Sequence, residues 1–183
     1  LSHSSAASDV YKRQPMSIIK NFIIIIFVTT FISQVNAEEV KKMGTHKDWE
    51  TYVVNSDSGK VCFAQSKPIL QSPKKDTREA RLFISFRPGE KITNEISVTG
   101  GYEFNNKNSV IAKSGKNKYK FDILQEGFAW MTNTKLEIKM IKTMKRGSRI
   151  MVTGNTQNGS STIDHYSLLG FTKAYNATKA NCS

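Results

Sequence analysis

Along most of this chain apolar and polar residues alternate with a period of two, the mark of strands that bury one face. Leu82, Ile84 and Phe86 alternate with Phe83, Ser85 and Arg87 until Pro88-Gly89 ends the run. Ile92, Ile96 and Val98 alternate with Thr93, Glu95 and Ser97 before Gly100-Gly101. Tyr119, Phe121 and Ile123 against Lys118, Lys120 and Asp122 give the cleanest half-exposed strand. Residues 49–54 and 61–65 are β-rich runs on either side of the turn-forming stretch 55–59. Residues 128–131 and 149–153 read as two more strands, and Pro68 and Pro73 among polar residues mark 66–77 as a loop.

One segment changes period. Between Thr134 and Arg146, Leu136, Met140, Ile141 and Met144 fall on one side of a helix, with Lys135, Lys139, Lys142 and Arg146 on the other. Thr134 with Glu137 three residues on fits a capping box, and Gly147 fits the helix end. Short strands with turns between them and a single amphipathic helix near 134–146 predict an all-β, antiparallel sandwich or barrel-like fold. The basic stripe of that helix has two readings: a contact for phospholipid or acidic polymer, or the solvated face of a packed helix.

The N-terminal region reads differently. Residues 1–15 have no hydrophobic period and resemble translated adaptor sequence. From Met16 onward come Lys20, an apolar run over 22–32 and Val35-Asn36-Ala37, the parts of a signal peptide with a cut after Ala37. The run is short for a membrane span, which needs about 20 apolar residues. The expectation is therefore an exported single domain over 38–183, periplasmic or secreted, without a transmembrane span after cleavage.

Formal net charge is +12, nearly all of it beyond Ala37, so anionic partners are favoured: lipid headgroups or acidic glycans. The basic residues are spread along the chain, so no nucleic-acid partner is expected. Cys62 and Cys182 are the two cysteines. In an oxidising compartment such a pair is most simply a disulfide. A reactive thiol would need a neighbouring base, and after Ala37 only His46 and His165 could serve.

The best catalytic set is Asp164, His165 and Ser167. Adjacent strand residues face opposite ways, so Asp164 is badly placed to orient His165, and Ser167 lies about 7 Å further along. No nucleophile elbow, P-loop, dinucleotide fingerprint or zinc spacing occurs, so neither enzyme chemistry, metal nor cofactor is expected. Tyr102, Phe104, Trp130 and Tyr166 fit strand patterning and are expected in the core rather than around a ligand.

Several landmarks occur in order: Trp49, Cys62-Phe63-Ala64, Gly101-Tyr102, Ala129-Trp130, Met151-Val152-Thr153-Gly154, Tyr166-Ser167-Leu168-Leu169-Gly170-Phe171 and Cys182. Together they resemble the invasion-associated locus B family of exported alphaproteobacterial proteins, over about 47–183. The resemblance implies a β-rich, envelope-associated or secreted protein without established catalytic residues, in a family named for a link to host-cell invasion. The chain departs from the pattern in having no cysteine soon after Trp49, where many members carry one. That leaves a second reading in which Cys62 lacks its usual partner. The function expected is binding at a host or envelope surface, with an anionic lipid, glycan or envelope protein as partner. A periplasmic carrier or sensor of an anionic small molecule or lipid is the alternative, and a hydrolase using His165 stands behind it. The run 166–171 is expected to be the closing strand, with Gly170 giving room for a bend.

Overall fold

The computed structural model describes residues 39–183 except 57–58 and 75–77; the expected adaptor segment, signal peptide and cleavage point lie outside the described residues. Two antiparallel sheets pack face to face. The larger contains β1 (Glu39–His46), β2 (Trp49–Ser56), β3 (Gly59–Ser66), β5 (Arg81–Arg87), β6 (Ile92–Thr99), β10 (Phe128–Trp130) and β9 (Ile123–Gln125), in that spatial order. The smaller has the order β4 (Leu70–Ser72), β12 (Ser161–Ser167), β11 (Arg149–Asn155), β7 (Val110–Ser114), β8 (Asn117–Phe121). This is the expected antiparallel sandwich.

The alternation read from sequence decides which side chains meet between the sheets. Leu82, Ile84, Ile96 and Val98 from one sheet join Val110, Phe121, Ile150 and Tyr166 from the other in one core. Trp49 is fully buried and its Nε1 donates to the Ser167 carbonyl at 3.0 Å, tying β2 to the end of β12.

Helix α1 (Thr134–Arg146) packs across β6 and β8 and so closes one side of the sandwich. Its cap is Asn133, not Thr134: the Asn133 Oδ1 accepts from the amides of Lys135 and Leu136. Glu137 is not spent on a capping box; it is buried, and its Oε1 accepts from the Ile96 amide at 3.1 Å. The inner face of α1 is thus Glu137, Met140, Ile141 and Met144, and Leu136, expected inside, is 43% exposed.

The run expected as a closing strand is a strand only to Ser167. Gly170 then takes φ +91°, and the chain enters a second helix, α2 (Phe171–Asn181). A Cβ at Gly170 would lie 1.8 Å from the His46 carbonyl oxygen, so only glycine lets the β1–β2 turn approach here. Phe171 packs on Trp49 with ring centroids 4.9 Å apart and Tyr175 on Phe86 at 5.5 Å, so α2 covers the inner face of β2, β3 and β5. Cys182 ends α2 and is disulfide-bonded to Cys62 of β3, with Cα atoms 5.8 Å apart. Strands β1, β4 and β7 were not read from the sequence, and the single strand expected over 118–123 is broken at Asp122 into β8 and β9.

Candidate anion-binding surface

Tyr119 of β8 faces inward under α1, and its hydroxyl meets Thr143 Oγ1 at 2.6 Å and the Lys139 carbonyl at 3.4 Å. That clamp sets the last two turns of α1 beside the tip of the β7–β8 hairpin. Ser114 Oγ donates to the Arg149 carbonyl at 3.0 Å, fixing the hairpin to the start of β11. Gly147 makes the approach possible, since a Cβ there would meet Leu168 Cδ1 at 3.0 Å and Ser114 Oγ at 3.2 Å. Between these elements lies an open groove of about 790 Å³.

Five cations line the groove: Lys139, Lys142 and Arg146 from α1, Lys116 from the hairpin turn and Arg149 from β11. All five are exposed, no carboxylate is in the lining, and none of the five pairs with an acid among the described residues. Lys113 and Lys118 also stand opposite each other in the same hairpin. Like charges directly across a ladder cost stability, so the hairpin carries positive charge at the fold's expense. The C-terminal end of α1 contributes about half a negative charge, which five unit cations outweigh. The groove is therefore a place where an anion meets several unneutralised donors at once.

Of the residues expected from sequence, Lys139, Lys142 and Arg146 line the groove, while exposed Lys135 lies outside the lining. Lys116 and Arg149 were missed. Nothing in their local sequence says that the hairpin tip and the β11 entry dock beside the helix end. Lys145, next to Arg146, serves another purpose: its Nζ lies 3.8 Å from the Tyr175 ring centroid, joining α1 to α2. Burial, and then Lys179 nearby, lower the Lys145 pKa.

The catalytic candidates are not brought together. Asp164 points into the sandwich, where Arg78 holds it in a two-pronged ion pair at 2.6 and 3.1 Å. Burial alone would lower the Arg78 pKa, but Asp164's hydrogen bonds and charge outweigh it and raise it. His165 lies on the opposite side of β12, in register with Met151 and Leu70. Ser167 Oγ accepts from the Leu169 amide at 3.2 Å, shaping the turn into α2. Phe104 and Tyr166 are in the core and Tyr102 packs against it, as expected. Trp130 is not: it stands half-buried on the outer face of the larger sheet, because Ala129 takes the inward position of β10. Among the described residues there is no group of three or more His, Cys, Asp or Glu that could hold a metal ion, and no helix is long and apolar enough to cross a membrane.

A family profile described as invasion associated locus B (IalB) protein matches residues 49–179. Among solved structures, the fold is similar to the crystal structure of invasion associated protein b from Bartonella henselae. The TM-score is 0.53 at 11% identity, covering 78% of this chain and 97% of that one. At that identity the likeness concerns the fold alone. A search of curated proteins finds no match.

Proposed function

The chain belongs to the invasion associated locus B family, and from that premise we propose that it is an exported cell-envelope protein that acts by binding an anionic surface rather than by catalysis. The observation that carries this reading is the convergence of Lys116, Lys139, Lys142, Arg146 and Arg149 on one groove without a carboxylate. Two features support export: the leader pattern over 16–37 and the disulfide between Cys62 and Cys182, which suits an oxidising compartment. The groove is open rather than enclosing, which suits the headgroups or acidic groups of a surface better than a sequestered small molecule.

The test is co-sedimentation of the purified protein with vesicles of phosphatidylcholine alone or mixed with phosphatidylglycerol, over a salt series, with an acidic polysaccharide in parallel. Binding to the anionic samples only, falling steeply as salt shortens the Debye length from about 30 Å at 0.01 M to about 3 Å at 1 M, is the expected result. Binding that does not change across the series would refute the groove as the contact.

A further inference from the structure

The outer face of the larger sheet carries a second surface with different chemistry. Tyr52, Phe63, Phe83, Phe128 and Trp130 form a continuous ladder of rings across β2, β3, β5 and β10. Successive centroids are 5.1, 6.1, 6.0 and 5.6 Å apart, and the first and last pairs are stacked. All five rings are half-buried, although the opposite face of the same strands supplies the core. Between the rings stand Ser85, opposite Phe63, and Ser97, flanked by Phe83 and Trp130. These serines are only 8% and 6% exposed, and neither hydroxyl has a hydrogen-bond partner among the described residues. Both hydroxyls still reach the surface between the rings, where they can donate to and accept from an incoming polar group.

The charges that share this face cancel locally. Lys42 pairs with Glu50, Arg81 with Glu79, and Arg87 with Glu95 through two hydrogen bonds of 2.7 Å. The surface is thus aromatic, hydroxylated and electrically neutral. The ladder also ends in a cleft of about 470 Å³, where Trp130 is joined by Gln125 and by two cations and two carboxyls, Arg87 and Lys91 with Glu95 and Glu137. Glu137 is 8% exposed; one carboxyl oxygen holds the Ile96 amide and the other has no partner among the described residues.

We propose that this face binds a neutral polysaccharide, whose sugar rings lie on the aromatic ladder and whose hydroxyls reach Ser85, Ser97 and the polar lining of the cleft. Ring faces are electron-rich, so they attract the weakly positive C–H faces of sugars. The ring spacing is comparable to the sugar repeat of an extended glycan. A charged polymer finds no net opposite charge here, and an apolar protein segment would leave the serine hydroxyls and Glu137 unsatisfied.

Intrinsic fluorescence reads the site directly, because Trp49 is fully buried and Trp130 is on the ladder. The probes are cellohexaose and chitohexaose, titrated into the full-length protein from low salt to about 1 M. Saturable change in Trp130 emission, unaltered by salt and unaltered in the groove variant Lys142→Glu/Arg146→Glu, is expected with at least one probe. Phe63→Leu and Phe83→Leu keep an apolar side chain and the fold, and each should weaken binding about tenfold by removing a flat face. No binding of either hexasaccharide overturns the proposal, as does binding retained in both leucine variants. Concentration-dependent self-association abolished by Phe63→Ser would also overturn it, since the ladder would then be a contact between copies.

Discussion

The groove and the ladder lie near opposite ends of α1, about 13 Å apart along the helix axis from Glu137 to Arg146, and they treat charge in opposite ways. In the groove five cations converge and none has an acid beside it among the described residues. On the ladder the cations are matched to carboxylates, and rings and hydroxyls are left open to a partner. Arg78 supplies a third case, a cation taken inside and neutralised by Asp164. The same residue types therefore do three jobs: structural where buried and paired, neutral background where exposed and paired, and available where exposed and unpaired. Only the last predicts salt-sensitive binding.

The largest perturbation tests whether the two surfaces share one fold. Cys62 sits on the inner side of β3 next to Phe63 of the ladder, and its bond to Cys182 closes a loop of 120 residues. On the chain-entropy model that closure is worth about 5 kcal/mol, so Cys182→Ser should lower the melting temperature by roughly 15 °C. One cooperative transition is expected by circular dichroism. Ladder fluorescence lost well before the global signal would instead divide the molecule into separately stable parts.

Next comes the contrast between buried and exposed cations. Asp164→Ala leaves Arg78 charged and buried, and should cost about 3 kcal/mol by chemical denaturation. Lys142→Ala should cost less than about 0.5 kcal/mol, since its ammonium has no partner to lose. A Lys142 variant as damaging as the Asp164 variant would mean that the groove cations are structural.

Much of the fold was legible because a period of two survives every tertiary detail: Leu82, Ile84 and Phe86 of β5, Ile96 and Val98 of β6, and Tyr119 and Phe121 of β8 are core residues that alternation names. Sequence failed where a local pattern had two solutions. Residues 166–171 carry apolar residues at strand spacing, yet the turn at Gly170 and the docking of Phe171 on Trp49 send the chain into a helix. Glu137 looked like a capping residue by spacing, but the Ile96 amide at the facing strand offered it a better partner. At the groove, three of the five cations were visible as a helical stripe and two were not. Lys116 and Arg149 join them only through the hairpin's approach to the helix end, a long-range event that local spacing does not encode. The ladder was hidden for the opposite reason: an aromatic residue in a strand reads as core, and parity alone does not say which face of a sheet is covered.

Charge reversal in the groove is smaller in stability and larger in binding. Lys142→Glu/Arg146→Glu should reduce the affinity for anionic vesicles at low salt by about a hundredfold, flatten the salt dependence, and leave the melting temperature within roughly 2 °C of the parent. Unchanged affinity would remove the groove from the comparison and leave the ladder as the sole candidate surface.

The smallest effect concerns Glu137, the acid at the ladder end of α1. Burial raises its pKa above the ordinary value of 4.5, Glu95 adds to the rise, and the Ile96 amide opposes both. A carboxyl whose pKa is higher folded than unfolded binds its proton more tightly in the native state. Its contribution to stability is complete below the unfolded pKa and is lost as pH climbs through the raised folded value. Glu137→Gln keeps an oxygen for the Ile96 amide and has no proton to lose. The variant should therefore melt close to the parent near pH 4 and roughly 2 °C above it at pH 7, with the gap opening across the interval between. If instead the glutamine variant melts lower at pH 7, the carboxylate is held by its surroundings as a charge. The cleft's neutrality would then rest on that charge, since Glu95 and ionised Glu137 together match Arg87 and Lys91 in the same lining.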